Sequence, residues 1–396
     1  MKKDDFESFI FFGHTIDQNQ TPELFATKII DKNFNNSKEL IVEAKKLWDG
    51  IIEDNLSKID TSKIMIPLSG GLDSRLILAS IMKFIEPKKI HTYTFGTESS
   101  LDYKIGNLVA KKTGTNHKYT PCLLGDYTYK NEVEWAKRLK TPTTLFYHPP
   151  ISIINEFNDF NYWFGYMGDP LAGSHLFPKI DNVEYALDYY LSKYGSISTN
   201  KAIEYNIDIN SIKEQVRNTI QLDKNINIFE NIDFSVRQHQ YIRPHVAFAE
   251  QSILPFIDQR WIDFMLNLPN ELRVNEVFYR QFMQMSYPKI FELPCKNNLG
   301  YKLGSKMSII PKIKMKLINN QKDKMLNYID FNKDLRNKNN LSDFVKEILF
   351  EKFDSNYLSK NQIDKIWKDF LNNEIQYGFI LNLVSSFILN EKQPRK

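Results

Sequence analysis

Apolar residues recur at helical spacing over residues 37–56, where Leu40, Ile41, Ala44, Leu47, Trp48, Ile51 and Ile52 make one stripe. Over residues 63–68 the pattern tightens into a short apolar run. From 72 to 84 it reopens to helical spacing through Leu76, Ile77, Ala79, Ile81 and Met82, so the stretch predicts a strand, a loop and a helix in succession. The next run, "KKIHTYTFG" at 88–96, has the Thr and aromatic content of a strand, and 100–113, opened by "SSLD", predicts a second helix. A third apolar strand, "YWFG" at 162–165, runs into the turn "GYMGDPLAGSH". Strands alternating with helices at this spacing predict an α/β fold whose parallel sheet is covered by helices on both faces.

Beyond about residue 183 the pattern turns mainly helical, with polar spacers such as "QLDKNINIFENIDF". Residues 296–324 are rich in lysine and contain Pro311, which reads as a mobile loop or boundary. The expected division is an N-terminal helical segment over 1–60, the sheet domain over 61–300, and the lysine-rich loop with a helical C-terminal region over 301–396.

The peptide between the first strand and its helix, "LSGGLDSR", carries chemistry. Gly70 and Gly71 lack Cβ and let the backbone approach a phosphate, while the helix that follows aims its unpaired N–H groups at the anion. Ser69 and Ser74 add hydroxyl donors. Asp73 would repel phosphate unless Mg²⁺ lay between them, so a carboxylate in this cradle implies a bridging metal. The Walker pattern is absent. The plainer reading is a tight, serine-capped turn, which needs neither the paired glycines nor the acid. In an open parallel sheet ligands bind at the carboxyl ends of strands, so this loop and the turn after residue 165 are expected to share one crevice.

Composition narrows the partners more than the fold. The chain has 396 residues, 42% hydrophobic and 25% charged, as an ordinary soluble protein has, and its 52 basic and 48 acidic residues leave a net charge of only +4. That balance asks for no polyanion, and nucleic acid is not an expected partner. Two cysteines, Cys122 and Cys295, stand far apart outside any CxxC context, which predicts reducing, cytoplasmic surroundings. The run from Phe9 to Phe12 is too short for a secretion leader, and no stretch approaches the ~20 apolar residues of a membrane span. The seven histidines show no i,i+4 pairing, so no zinc site is expected.

"LSGGLDSR" resembles the SGGxDS loop of the ATP pyrophosphatases and, more narrowly, the synthetase domain of the asparagine synthetases and relatives such as β-lactam synthetase. "YTFGTESSLDYKIGNLVAKKTGTNH" is similar to that family's second strand and helix, and "GYMGDPLAG" to its second glycine-rich turn. "LPFIDQRWIDFMLNLPNELR" and "FYRQFMQMSYPKIFELPCKNNLGY" resemble its Pro-Phe-Leu-Asp segment and its Arg, Leu-Pro and Lys-x-Gly-Phe region. The resemblance runs in order over residues 63–301 and implies an adenine nucleotide α-hydrolase-like fold. It implies an ATP- and Mg²⁺-dependent ligase that activates a carboxylate as acyl-AMP, releases pyrophosphate and forms an amide with an amine or ammonia. By the same resemblance Leu68, Phe95 and Gly165 line the adenosine pocket, and Ser69, Gly70, Gly71 and Ser74 hold pyrophosphate. Asp73 and Asp169 ligate Mg²⁺, Lys296 stabilises developing charge, and Arg280 supports the phosphates.

The chain also departs from the family. Tyr166 and Pro170 stand where the second turn usually has Glu, and "AEQSILPF" lacks the Glu-x-Arg before Pro-Phe. Tyr166 then replaces the Glu as hydrogen-bond donor or weak base, or simply packs. The start, Met1-Lys2-Lys3, lacks the Met-Cys of a glutaminase domain, and residues 1–60 are a candidate remnant of one. The amine is therefore expected from elsewhere, a separate glutaminase being one candidate source. The carboxylate is aspartate or a specialised one on a surface sugar or a peptide. His148 and His175 are placed near the acceptor, and Arg237, Gln240 and Arg243 are placed on one helical face that binds an anion or is merely solvated. The lysine run reads as an RNA contact, a lid or plain surface. Two other functions stay open: a tRNA- or nucleotide-modifying pyrophosphatase, and a nucleotide-binding regulator that has lost catalysis.

Overall fold

Ile64, Met65 and Ile66 are apolar on both sides of the chain, as a strand buried on both faces requires, and they form β1 (Ile64–Pro67) at the centre of a parallel sheet. The computed structural model describes residues 2–19, 37–139, 141–176, 182–196, 202–220, 226–304, 330–337, 339–372 and 378–391, with residues 180 and 223. Around β1 stand β2 (Ile90–Gly96), β3 (Asn116–Pro121), β4 (Asn161–Trp163) and β5 (Ser252–Ile253), in the order β3-β2-β1-β4-β5. All four pairings are parallel, with Ile64 opposite Ile90 on one side and Asn161 on the other. The chain order reverses at β1, so a crevice opens at the carboxyl ends of β1 and β4.

Side chains alternate between two cores. Met65, Tyr93, Tyr162 and Phe164 face one, which also receives Phe6, Phe9, Trp135, Val216 and Phe387. Ile64, Ile66, Leu68 and Trp163 face the other, with Trp48, Leu76, Trp261 and Phe282. Helices thus cover both faces, and the part beyond residue 182 is mainly helical.

Two helices precede the sheet. α1 (Lys3–Phe12) was not anticipated, because Phe6, Phe9, Ile10 and Phe11 bury more than one face. Phe6 and Phe9 meet Phe387 of helix Gly378–Glu391 at ring separations of 4.9 and 5.8 Å. α2 (Ser37–Leu56) lies against the other core, where Trp48 packs on Phe256 and Trp261 at 4.6 and 4.8 Å and donates to Ser80 Oγ at 2.7 Å. α3 (Asp73–Ile81) follows β1, and α4 (Leu101–Thr113) follows β2. α5 (Tyr129–Leu139) and α6 (Ile151–Glu156) come between β3 and β4.

Most of the lysine run lies outside the described residues; its start is a hairpin of Pro294–Cys295 with Tyr301–Lys302. The segment Phe234–Ile242 is a π-helix, so the expected face of Arg237, Gln240 and Arg243 does not form. Bonds to the fifth residue turn those positions apart. Gln240 is buried and bonds to Asp17 N and O at 2.7 and 3.3 Å, Arg237 covers the Tyr194 ring at 5.0 Å, and Arg243 ends the segment. No described helix is long and apolar enough to cross a membrane.

Candidate active site

The loop after β1 is tied into a compact nest. Leu68 N–H donates to Tyr93 O at 2.8 Å, and Thr94 Oγ1 donates to Leu68 O at 2.7 Å. Ser69 N–H reaches Ser74 Oγ at 3.2 Å, and Gly71 N–H reaches Ser69 Oγ at 3.1 Å. Gly70 N–H donates to Asp102 Oδ1 at 2.9 Å. The "SSLD" motif divides its labour: Ser100 alone caps α4, accepting from Tyr103 N–H at 3.1 Å, which frees Asp102 to reach across to the loop.

The second turn closes over the first. A Cβ on Gly165 would lie 2.7 Å from Asp73 Cβ, and one on Gly168 would lie 2.5 Å from Asp73 Cγ, so only glycine lets the turn come this close. The turn continues as α7 (Gly168–Leu171), which carries Asp169. Desolvation and repulsion from Asp169 push the Asp73 carboxyl well above the usual range, against a 2.7 Å hydrogen bond from Tyr279 OH. Desolvation also raises Asp169, while His175 attracts it and Ser174 Oγ donates to it at 3.2 Å. Glu276 completes the group, raised by burial and opposed by Arg280, whose Nη2 and Nε donate to it at 2.6 and 2.9 Å. Asp233 stays low despite its burial because His175 Nδ1 lies 2.9 Å from its Oδ2.

Asp73 and Asp169 therefore stand together, each raised mainly by its burial. Hard carboxylate oxygens of this kind suit Mg²⁺, which takes one or two protein carboxylates and completes its shell with water and phosphate oxygens. Among the described residues no three or more His, Cys, Asp or Glu are grouped as a metal cage.

Lys296 arrives from the hairpin after the Leu-Pro motif. Its N–H donates to Gly70 O at 2.8 Å, and its ammonium pairs with Asp102 Oδ2. Asp102 thus holds a loop amide with one oxygen and the lysine with the other. Arg75, fully buried, donates to Leu293 O and Pro294 O at 3.2 and 2.8 Å and fixes the hairpin that presents Lys296. Arg280 meets the acids through Glu276. Tyr166 is 4% exposed and lies in the apolar core, as a packing residue does.

The expected adenosine-lining residues stand at or next to one cavity, since Pro67 and Phe164, the chain neighbours of Leu68 and Gly165, line it with Phe95. Phe95 walls a cavity of about 470 Å³ at the carboxyl ends of β1, β2 and β4, with Pro67, Tyr93, Tyr147, Phe164 and His245. Leu68, 2% exposed, is buried in the core, and Gly165 lies against Asp73. His148, assigned above to the acceptor, is buried between Trp135 and His245 at ring separations of 4.5 and 5.1 Å, and burial holds its pKa well below the usual histidine value. His175 does reach the acids. Asp102, Glu276 and Tyr279 join the site without having been anticipated; the acid of "SSLD" was a visible signal, read as belonging to the helix end.

A parallel sheet reversing at its first strand, with two glycine turns meeting over an acid pair at its carboxyl edge, defines an α/β protein of the adenine nucleotide α-hydrolase-like kind. Residues 60–126, from just before β1 to just past β3, match the family model for asparagine synthase. That stretch, which carries the loop, β2, α4 and β3, is what the chain shares with the asparagine synthase family. Comparison with functionally curated proteins gave no match.

Proposed function

We propose that the protein is an ATP-dependent, amide-forming ligase that activates a small-molecule carboxylate. The observation that carries the reading is the Asp73–Asp169 pair, drawn together across the two turns with both carboxyls raised. ATP supplies the driving chemistry: the substrate carboxylate attacks the α-phosphorus, pyrophosphate leaves, and an amine or ammonia displaces AMP to leave an amide. The serine and glycine groups of the loop orient the phosphates, and Asp73 and Asp169 are the residues that would hold Mg²⁺. Mg²⁺ when bound offsets phosphate charge. Lys296, moving from Asp102 to the phosphates, places its ammonium beside the charge that builds in both steps. The aromatic cavity suits the flat purine, which stacks on rings such as Phe95. The carboxylate is aspartate or a specialised acid on a sugar or peptide, and the amine comes from a separate donor.

The test is ATP–pyrophosphate exchange over a panel of carboxylates. At least one acid should support exchange, and Asp73→Ala and Lys296→Ala should each lower it by about 10²-fold or more. Undiminished exchange in both variants would overturn the site. A second reading, a nucleotide-binding regulator without catalysis, is favoured by Tyr166, which is buried and stands where the family it resembles usually has Glu. It predicts tight ATP binding with no exchange for any acid.

A further inference from the structure

Phe248, in the wall of the aromatic cavity, also walls a second hollow of about 680 Å³. That volume falls within the ~300–1,000 Å³ range of small-molecule sites. Its lining differs in kind from the first: Arg138, His239 and Arg243 converge on it, with Glu250 exposed at the side. Arg138 closes α5, where its Nη2 donates to Asn155 Oδ1 at 3.2 Å and lies 3.8 Å from Glu134 Oε1. Its Nε is buried and has no hydrogen-bond partner among the described residues. His239 and Arg243 are brought to the hollow by the π-helix and its end. Two planar guanidinium forks beside an imidazole match a dianion, whose oxygens accept paired N–H bonds.

We propose that the hollow walled by Arg138, His239 and Arg243 is a second anion site, which holds a phosphate ester borne by the molecule whose carboxylate is activated at the loop. The anion site stands on its own lining; only its assignment to that substrate rests on the ligase reading. The shared wall at Phe248 gives the link, since a ligand in the hollow lies one side chain from the cavity beside the loop.

The experiment is titration calorimetry of the full chain with glucose 1-phosphate and with inorganic phosphate. A Ser69→Ala/Ser74→Ala variant, whose loop is impaired, should still bind glucose 1-phosphate. In that background Arg138→Gln and Arg243→Gln should each weaken binding about tenfold or more, Arg243→Lys should weaken it less, and the ester should bind about fivefold more tightly than free phosphate. Binding unchanged within about twofold in both glutamine variants overturns the site, and equal affinity for the two probes overturns the substrate assignment. Melting curves check folding, and Arg243→Gln, on a partly exposed side chain, carries the test where Arg138→Gln does not fold. Intact anion binding in a protein that exchanges pyrophosphate with no carboxylate sinks the ligase reading and leaves the site standing.

Discussion

Replacing Arg273 with methionine should remove the clamp under the second turn. Arg273 is 3% exposed and Glu230 is fully buried; Arg273 Nη2 and Nη1 donate to Glu230 at 2.6 and 3.1 Å. Arg273 Nε and Nη2 also reach Leu171 O at 3.3 and 3.2 Å, at the end of the helix that carries Asp169. Breaking a buried ion pair by removing one partner costs ~3–5 kcal/mol, and a lost hydrogen bond to a carbonyl adds ~1 kcal/mol. Arg273→Met should therefore lose on the order of 4–6 kcal/mol at pH 8, a large part of a typical domain's 5–15. The loss depends on pH. Burial already raises Glu230 above its ordinary 4.5, with Arg273 pulling the other way, so removing Arg273 raises it further. A carboxyl raised in the folded state binds more protons there than when unfolded, and stability falls as pH climbs from about 4.5 toward the folded value. Urea unfolding at pH 5 and 8 should show a deficit that is smaller at pH 5, and Arg273→Met/Glu230→Gln should regain most of it at pH 8. A deficit below about 1 kcal/mol at pH 8, or one that the second substitution leaves intact, refutes the reasoning.

Glu132 provides a second titration: burial pushes it from 4.5 to about 8, so the wild type should lose several kcal/mol of stability, on the order of 1.4 per tenfold in proton activity, between those values, a loss that Glu132→Gln should not show in parallel urea melts. Gly168→Ala should displace the Asp73 carboxyl that its Cβ would meet at 2.5 Å, abolishing ATP–pyrophosphate exchange and costing ~1–3 kcal/mol in thermal unfolding. Gly50→Ala, on α2 with nothing within 4 Å of the new Cβ, should instead stabilise by ~0.5–1 kcal/mol with exchange unchanged. Mg²⁺ with a nonhydrolysable ATP analogue should raise the melting temperature of the wild type, and Asp73→Asn should lose most of that rise.

What the sequence disclosed follows from how local each signal is. β1, β2 and β4 stood out because their apolar runs end in turns, whereas β3 is a polar edge strand, "NHKYTP", and β5 is two residues long. The loop was legible from its glycines, and the meeting of its acid with Asp169 from the rule that ligands gather at strand ends. Asp102, Glu276 and Tyr279 reach the loop from remote segments; the SSLD motif marked Asp102 only as part of a helix start, and nothing near Glu276 or Tyr279 marks which way they turn. Arg75 and Arg273 look like surface cations in the sequence, yet both lie inside, pairing with carbonyls and one acid. The π-helix hid Gln240 because apolar periodicity was read at 3.6 residues per turn.

The meeting of α1 with helix Gly378–Glu391 bears on how the molecule is made. Helix Lys3–Phe12 finds this aromatic neighbour only after more than three hundred further residues have emerged. During synthesis Phe6 and Phe9 are therefore left without that cover while the sheet behind them assembles. A chain halted before Phe387 would lack that part of the cover over Phe6 and Phe9 and present more apolar surface to chaperones and proteases.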